Sequence, residues 1–397
     1  MPIDEGSRSH RIAIARAGGN AISGDEAIDD GIRIMGICNA CRYCEGYCAV
    51  FPAMTRRLSF AEADIDYLAN LCHNCGGCYH SCQYAPPHPF AVNVPLTFAQ
   101  VRKRSYEKYA WPAPLAIAFE RNGLAVGLAL AASLLLALLF GTVWIDGVAL
   151  FAPQTGAGAF YRIIAHNTMA LAFGAVSIFV VCAFAIGLAR FWRSTGSSAL
   201  APALATARPL REAVFDVLTL RYLDGGGNGD GCPYPGDQPS QARRLFHHLT
   251  MYGFLLCFAS TSVATFYHYG LHELAPYALL SLPVLLGTTG GVGLTIGPLG
   301  LFVLKRRRDA ALADASQDGM DIGFIALLVL TAVTGLALLA FRSTPAMGCL
   351  LLIHLAAVLA LFITLPYGKF VHGSYRFAAL LRFAIERKQP SDLTVSE

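Results

Sequence analysis

Two groups of cysteines dominate the chemistry that this sequence could perform. Eight of the 12 cysteines fall into two copies of C-x2-C-x2-C-x3-C, one in residues 38–48 and one in residues 72–82. This spacing is typical of a chain that binds two [4Fe–4S] clusters, in which the fourth cysteine of each run binds the other cluster. Two-residue gaps let one turn of backbone supply three ligands, so the fourth has to come from elsewhere. The sequence therefore predicts one cluster bound by Cys38, Cys41, Cys44 and Cys82, and a second bound by Cys72, Cys75, Cys78 and Cys48.

A double zinc site is the alternative interpretation of these cysteines. C-x2-C pairs also bind zinc, which takes four ligands per ion. An evenly spaced run of four cysteines is uncommon in zinc sites, so iron–sulfur clusters are favoured. The runs depart from the bacterial pattern in one respect, because Pro52 and Pro86 come four residues after the last cysteine and not directly after it. Disulfides are disfavoured in a reducing cytosol.

The segment between the two cysteine runs predicts a helix over 61–71. Ser59 and Glu62 match the capping box that starts many helices, and Ile65 and Leu68 share one face. A helix at this position favours an α-helical ferredoxin over the β-hairpin kind.

The other four cysteines have simpler interpretations. Cys182, Cys257 and Cys349 lie in apolar runs, where cysteine packs as a small apolar side chain. Cys232 lies in a Gly-Cys-Pro loop and has either a structural role or a redox or contact role.

The composition places most of the chain in a membrane. Only 14% of the 397 residues are charged, against about 25% in soluble domains. Residues 1–122 hold 24 of the 56 charged side chains, so the N-terminal part is the water-soluble one. These values exclude an ordinary soluble protein and a disordered one. The net charge of +4 is small, and the basic residues lie beside apolar runs, so nucleic-acid binding is not expected.

Six apolar runs are each long enough to cross a hydrocarbon layer of about 30 Å at about 1.5 Å per residue. Six spans put both termini on the same side of the membrane. The fourth run is rich in glycine, which lets helix backbones approach closely in lipid. The runs are Gly123–Ile145, Ile163–Trp192, Leu245–Tyr269, Tyr277–Leu304, Ile322–Phe341 and Cys349–Phe370.

The basic residues predict the orientation of these spans. Of the 18 lysines and arginines after residue 122, only Arg162 and Arg342 lie in loops opposite the N-terminus. The positive-inside rule therefore predicts cytoplasmic termini and a cytoplasmic loop over 193–244, which could contact the soluble domain. Residues 1–35 contain six acidic side chains and no apolar stretch, so no signal peptide is expected.

Histidines in the spans suggest haem, because an ionisable side chain inside a membrane is costly and marks a functional candidate. His354 and His372 are 18 residues apart, which is five turns of a straight helix. They would face the same way, about 27 Å apart, and could each bind a haem b near a different membrane surface. His372 would pair with His247 or His248, of which His247 is favoured because it shares a helix face with His268.

The outer partner of His354 would be His268, with His166 as a competitor. The other interpretation of each histidine is a hydrogen-bonded residue at the membrane interface. Covalent c-type haem is excluded, because no C-x-x-C-H occurs. The candidate haem ligands are His166, His247, His248, His268, His354 and His372, whereas His10, His73, His80, His88 and His272 are interpreted as solvated or structural.

Several catalytic motifs are absent from the sequence. It contains no G-x-G-x-x-G after a strand, no Walker loop, no H-E-x-x-H and no G-x-S-x-G. The chain is therefore expected to carry electrons without a flavin or nicotinamide site of its own, and an outside donor is required.

Four segments resemble the tricarballylate-utilisation protein B family, also called citrate-utilisation protein B. They are CNACRYCEGYCAVFPAM (38–54), LCHNCGGCYHSCQYAPPHPFAVNVP (71–95), RYLDGGGNGDGCPYPGD (221–237) and RRLFHHLTMYGFLLCFASTSVATFYHYG (243–270). The resemblance covers about residues 32–376. The paired histidines are also similar, more loosely and at the level of fold, to those of the nitrate reductase gamma subunit.

The resemblance implies a membrane protein with two [4Fe–4S] clusters and haem. Members of the family reoxidise the FADH2 of a partner flavoprotein, tricarballylate dehydrogenase, and pass the electrons to quinone. It therefore implies an electron-transfer subunit in a bacterial cytoplasmic (inner) membrane, and not an enzyme that acts alone. Docking of the flavoprotein is expected on residues 1–105 and on the 193–244 loop.

The expected fold is all-α, with a helical dicluster ferredoxin-like domain followed by a six-helix bundle like a b-type cytochrome. Two other functions stay open: the membrane arm of a thiol or heterodisulfide reductase, and a zinc-bearing anchor or transporter without redox activity. The expected division is an N-terminal cytoplasmic segment (1–31), the ferredoxin-like domain (32–105), a linker (106–122), the membrane domain (123–376) and a cytoplasmic tail (377–397).

Overall fold

The computed structural model describes residues 24–143, 150–196, 207–225 and 230–389. Over these ranges the chain is built from helices, and its strands form one antiparallel hairpin of two residues each. The all-α prediction is therefore confirmed. Most of the expected N-terminal segment 1–31, including His10, lies outside the described residues.

Five helices form the N-terminal part, which we call the cysteine module (residues 24–110). Ile34, Phe51, Tyr67 and Phe98 are fully buried between these helices. Each such side chain contributes about 1.5–3 kcal/mol when it leaves water, so the module has a core that can hold the cysteine loops in place. The helices are α1 (Gly24–Cys41), α2 (Val50–Met54), α3 (Glu62–Leu71), α4 (Gly77–His80) and α5 (Val94–Tyr109).

The helix predicted between the cysteine runs is α3, but its predicted capping box is wrong. The carboxylate of Asp64 accepts a hydrogen bond of 3.2 Å from the backbone N–H of Ala61, so the reciprocal contact lies two residues later than Ser59 and Glu62. Glu62 instead accepts hydrogen bonds from Arg104 and Lys108 on α5. These ion pairs tie α3 to α5. Asp64 forms the cap with its Oδ2 atom, while its Oδ1 atom accepts a hydrogen bond of 2.7 Å from Arg57.

Six helices are long and apolar enough to cross a membrane, which confirms the predicted number of spans. The chain is therefore a multi-pass membrane protein. Trp144 and Ile145, the expected end of the first span, lie outside the described residues. The six helices are α7 (Asn122–Val143), α8 (His166–Thr195), α10 (Ala242–Gly270), α11 (Leu282–Arg307), α12 (Asp318–Ala340) and α13 (Met347–Thr364).

The glycines of α11 allow the close packing that the sequence predicts. A Cβ atom on Gly290 would lie 2.8 Å from the carbonyl oxygen of Gly253 on α10, and one on Gly297 would lie 2.6 Å from the backbone nitrogen of Thr250. Only hydrogen fits at these positions. Helix α10, which carries three of the candidate haem ligands, is thereby held against α11 along much of its length.

His354 and His372 lie on different helices, so the predicted straight helix joining them is wrong. Helix α13 ends at Thr364, a 3-10 turn follows, and His372 lies on α14 (Val371–Glu386). Pro366 has no N–H to continue the helix, and Gly368 adopts an extended conformation (φ −140°, ψ −167°). The argument that the two histidines share one face therefore fails.

Helix α14 packs on the cysteine module and does not form a free tail. Glu386 accepts a hydrogen bond of 2.8 Å from Arg57, and the guanidinium of Arg382 lies 4.0 Å from the centre of the Tyr67 ring. The expected tail 377–397 is thus helical as far as Glu386 and is docked on α3. Residues 390–397 lie outside the described residues.

The described part of the expected loop 193–244 contacts the cysteine module. It contains a helix, a 3-10 turn and the hairpin, and the carbonyl oxygen of Pro233 packs against Gly76. The described elements of the loop are α9 (Ala207–Leu218), the 3-10 turn Arg221–Leu223, β1 (Cys232–Pro233) and β2 (Pro239–Ser240). The remaining short elements of the described residues lie outside this loop. They are α6 (Ile117–Glu120) and the 3-10 turns Ala113–Ala116, Ala159–Arg162, Ala310–Leu312, Ala315–Gln317 and Leu365–Tyr367.

Candidate functional site

The eight module cysteines line two cavities in the crossed sets that their spacing predicts. We call the cavity of the first set the first site and that of the second set the second site. Among the described residues, no three His, Cys, Asp or Glu side chains meet at a point that could hold a single metal ion. Their binding to iron stays a prediction. The first site is lined by Cys38, Cys41, Cys44 and Cys82, and the second by Cys48, Cys72, Cys75 and Cys78.

Local backbone geometry explains how each run surrounds its cavity. Helix α1 ends at Cys41, and the next residue, Arg42, has a φ of 55°. Gly76 occupies the corresponding position of the second run, with a φ of 82°. A left-handed residue after the second cysteine turns the chain sharply, so the third cysteine faces the same cavity as the first two.

Backbone N–H groups point at two of the cysteine sulfurs. The N–H of Asn74 points at the sulfur of Cys72 at 3.3 Å, and the N–H of Tyr84 points at the sulfur of Cys82 at 3.4 Å. Hydrogen bonds to ligating sulfurs are among the features that tune iron–sulfur sites.

Burial, and to a lesser degree the neighbouring thiols, raise the pKa values of four of these cysteines: Cys38, Cys44, Cys48 and Cys78. Burial, together with the neighbouring Cys44, Cys82 and Cys41, raises the pKa of Cys38 to about 12. Burial also raises the pKa of Cys48 well above its ordinary value, with added effects of Cys75 and Cys72 from the other run. Crowded, buried thiols ionise only with a cationic partner, so the donor set fits an iron–sulfur cluster, which binds thiolates.

The second site lies against the helices that carry two of the candidate haem ligands. Arg243, at the start of α10, donates hydrogen bonds of 2.8 and 2.7 Å to the carbonyl oxygens of His73 and Asn74. Arg376, on α14, donates one of 2.6 Å to the carbonyl oxygen of Cys72. The backbone of the second cysteine run is therefore fixed from both sides by arginines outside the cysteine module.

His247 and His372 come together at this place. Their ring centres are 6.0 Å apart, and the ring planes are nearly perpendicular, at 83°. A metal–imidazole bond is about 2.0–2.1 Å, and the ring centre lies roughly 1 Å beyond the nitrogen, so two axial imidazoles on one metal place their centres about 6 Å apart. Nδ1 of His372 hydrogen-bonds the carbonyl oxygen of Lys369, which leaves its Nε2 available. The distance between the two ring centres is the one that a shared haem iron would require, and haem binding by this pair stays a prediction.

His248 does not face this pair. Its ring lies 5.6 Å from the ring of Tyr252. The structure therefore brings His247, the favoured candidate of the two, to His372.

The outer histidines are arranged differently. The rings of His166 and His268 stack at 3.6 Å and 10°, a distance too short for two axial ligands of one iron. Nδ1 of His354 lies 3.1 Å from the hydroxyl oxygen of Thr334, and Gly335 leaves room for its ring. Pairing of His354 with His268 or His166 in a second haem site stays a prediction.

Sequence reasoning missed Arg243 and Arg376, and it did not predict the burial of His73. His73 was interpreted as solvated or structural; it is buried, and Nδ1 has no hydrogen-bond partner among the described residues. Burial, Arg376 and Arg243 hold its pKa well below the ordinary value, so it is neutral. The sequence spacing could have identified the two arginines as neighbours of the histidines. Arg243 precedes His247 by four residues and Arg376 follows His372 by four, which is one helical turn.

Replacing Gly76 with alanine is expected to destabilise the second site. Besides its φ of 82°, a Cβ there would lie 2.9 Å from Leu312 and 3.0 Å from the carbonyl oxygen of Pro233. The strained backbone costs about 1–3 kcal/mol. We expect a lower melting temperature in detergent and loss of iron on mild heating. Gly46, where a Cβ meets nothing within 4 Å, is the control: Gly46→Ala should stay within about 1 kcal/mol of the wild type, and equal losses in both variants would contradict the argument.

Comparison with known proteins covers nearly the whole chain. Residues 118–392 match a family model described as citrate utilization protein B, and residues 31–108 match the Fer4-like domain of the same protein. A protein of Escherichia coli named citrate utilization protein B is 52% identical over 357 residues, which is 90% of this chain and 92% of that protein. No solved structure matches the chain.

Proposed function

Because this chain belongs to the citrate utilization protein B family, we propose that it carries electrons from the reduced flavin of a partner dehydrogenase to membrane quinone. The partner would be a FAD-dependent flavoprotein of the tricarballylate dehydrogenase type. When bound, two [4Fe–4S] clusters and haem b would supply one-electron carriers between a two-electron flavin and a quinone. The crossed cysteine sets would hold the clusters, and His247 and His372 would hold a haem.

One observation supports this proposal: two arginines link the second cysteine site to the helices that carry His247 and His372. Arg243 and Arg376 hydrogen-bond the carbonyl groups of residues 72–74, and each lies one turn from one of the two histidines. Rigid helices thus fix two candidate redox sites against each other. An anchor or transporter without redox activity has no need for this contact.

The two sites differ in their access to solvent, which suggests where the flavoprotein docks. Tyr43, beside the first site, is 67% exposed, and Phe90 nearby is 47% exposed. The second site is covered by the hairpin residue Pro233 and by Tyr222. A flavin on a partner can therefore approach the first site more closely than the second.

The role of the chain's own residues is positional. The cysteine module would hold the two clusters with eight cysteines, and its backbone amides point at two of the sulfurs. Arg102 and Arg376 both hydrogen-bond the carbonyl oxygen of Cys72, so fixed positive charge lies beside the second site, where added electrons are stabilised.

We further propose a bacterial inner membrane location, with the cysteine module and both termini in the cytoplasm. The distribution of lysine and arginine between the two sides of the six spans supports this orientation. A cytoplasmic flavoprotein could then reach the first site.

The proposal is tested by purifying the protein with its native flavoprotein from membranes and adding tricarballylate or other organic acids without oxygen. We expect the haem absorption bands to shift to the reduced form with one acid, followed by reduction of added quinone. Cys41→Ala should abolish both signals while the protein still inserts in the membrane.

Other outcomes would replace the proposal. A colourless, iron-free preparation would favour the zinc-bearing anchor. Copurification of a cysteine-rich catalytic subunit without flavin would favour the heterodisulfide reductase arm. Unimpaired quinone reduction by Cys41→Ala would show that the cysteine sites are not on the electron route.

A further inference from the structure

Helix α9 of the 193–244 loop has an apolar face that is open in the described part of the chain. Leu210, Val214 and Leu218 are spaced four residues apart, so they lie on one side of the helix, and Phe215 lies beside them. All four side chains are exposed, Phe215 by 58%. A contiguous exposed apolar face marks a contact with lipid or with another protein.

The opposite face of α9 is fixed to the rest of the chain. Ala213 is fully buried and lies in one apolar core with Phe383 of α14. Glu212 forms ion pairs of 3.3 Å with Arg387 and of 3.2 Å with Lys388, at the end of α14. The helix therefore has a defined orientation, with its apolar face turned away from α14.

The end of α9 is bonded to a membrane span. The hydroxyl of Tyr252 on α10 donates a hydrogen bond of 2.7 Å to the carbonyl oxygen of Leu218. Helix α10 has 29 residues, so it is roughly 43 Å long and exceeds the hydrocarbon layer by about nine residues. Tyr252 comes ten residues after Ala242, the first residue of α10. It therefore lies at the boundary of the hydrocarbon layer or inside it, even if the whole excess precedes it.

The side of α10 that meets α9 faces the lipid. Leu245 and Tyr252 are seven residues apart, so they share one face of the helix. Both are exposed on a helix that is apolar enough to cross a membrane. Leu218, which is itself exposed, adjoins this surface through its bond to Tyr252. The apolar face of α9 is therefore continuous with a surface that lipid covers.

Basic side chains accompany the apolar face. Arg208 and Arg211 lie in the first two turns of α9, and both are exposed. Arg208 pairs with Glu212, whereas Arg211 has no carboxylate partner within the described ranges. An apolar face with lysine or arginine beside it is the pattern of a helix that lies in the plane of a membrane surface.

We propose that α9 is an interfacial helix that lies in the headgroup region of the bilayer. Its four apolar side chains contact acyl chains, and Arg211 binds anionic lipid headgroups. Because α9 is also fixed to α14, which is docked on α3, the bilayer surface braces the cysteine module. This inference needs neither iron nor haem, so it is independent of the proposed electron transfer.

The test uses the full-length protein with a photo-crosslinking residue, p-benzoylphenylalanine, in place of Phe215, or of Leu210 in a second variant. Each variant is reconstituted in vesicles of phosphatidylethanolamine and phosphatidylglycerol, with and without its native flavoprotein, and is irradiated and analysed by mass spectrometry. We expect lipid adducts at both positions. Leu171, exposed on the span α8, should also give lipid adducts, whereas Leu58, exposed on the cysteine module, should give none.

Arg211→Gln, made in the variant with the probe at residue 215, tests the headgroup contact. The share of phosphatidylglycerol among the lipid adducts should fall by up to about fivefold, because a basic side chain near an anionic surface attracts such lipids. Arg33→Gln removes the same charge from α1 of the cysteine module, so it should leave this share unchanged.

Three results would overturn the inference. Adducts to protein in place of lipid would assign the face to the flavoprotein, to a second copy or to another part of the same chain. Absence of lipid adducts at both α9 positions, with adducts at Leu171, would place α9 outside the bilayer. An unchanged share of phosphatidylglycerol in Arg211→Gln would remove the headgroup contact.

Discussion

Cys48→Ala is expected to remove the cluster held by the second cysteine run, although Cys48 belongs to the first run. The reason is that Cys48 lines the cavity of Cys72, Cys75 and Cys78. Non-haem iron should fall from about eight to about four atoms per chain, because each [4Fe–4S] cluster needs its four thiolates. A non-haem iron assay and electron paramagnetic resonance of the purified protein measure this loss.

Double variants identify which cluster is lost. Cys48→Ala/Cys75→Ala should lose no more iron than Cys48→Ala alone, because both cysteines serve one site. Cys48→Ala/Cys41→Ala should lose nearly all the non-haem iron, because these two serve different sites. Cys182, an exposed cysteine on α8, is the control, and Cys182→Ala should keep about eight non-haem iron atoms. Retention of four non-haem iron atoms in Cys48→Ala/Cys41→Ala would show that pairing follows the sequence order.

Features set by local spacing could be predicted from the sequence. Two residues between cysteines leave little freedom in where three sulfurs point, so the crossed sets of cavity-lining cysteines follow from the spacing alone. The six spans could also be predicted, because about 20 apolar residues are needed to cross the hydrocarbon layer. The packing of Gly253 against Gly290 follows from the same local rule that small residues admit a neighbouring helix.

Features that depend on how elements end or dock could not be predicted. The apolar run from Cys349 reaches Phe370 without a charge before Lys369, and hydropathy alone does not register that Pro366 and Gly368 stop the helix. The burial of His73 could not be predicted from the sequence either, since it results from the docking of α10 and α14 on the cysteine module. Cys232 is separated from Cys75 by more than 150 residues, so the packing of both in one apolar cluster is set by tertiary structure.

His372→Ala and His247→Ala are each expected to lose the haem that this pair would bind. Their rings stand at the separation that two axial imidazoles need, and loss of one ligand leaves the iron without its second strong bond. Haem is measured per chain from the absorption of the purified protein. Iron in clusters should stay at about eight atoms per chain, which shows that the cysteine module is still folded.

His248 is the matched control, because it is the next residue on α10 and its ring lies against Tyr252 and not against His372. His248→Ala should keep the haem. Full haem in His372→Ala, with loss in His354→Ala, would contradict the assignment and move the site to the other end of the bundle. If the wild type binds two haems, His372→Ala should lose one of them. If the second haem is lost only when His354→Ala is added, then His354 binds that second haem. The break at Pro366 makes these outcomes separable, because His354 and His372 lie on helices that end and begin independently.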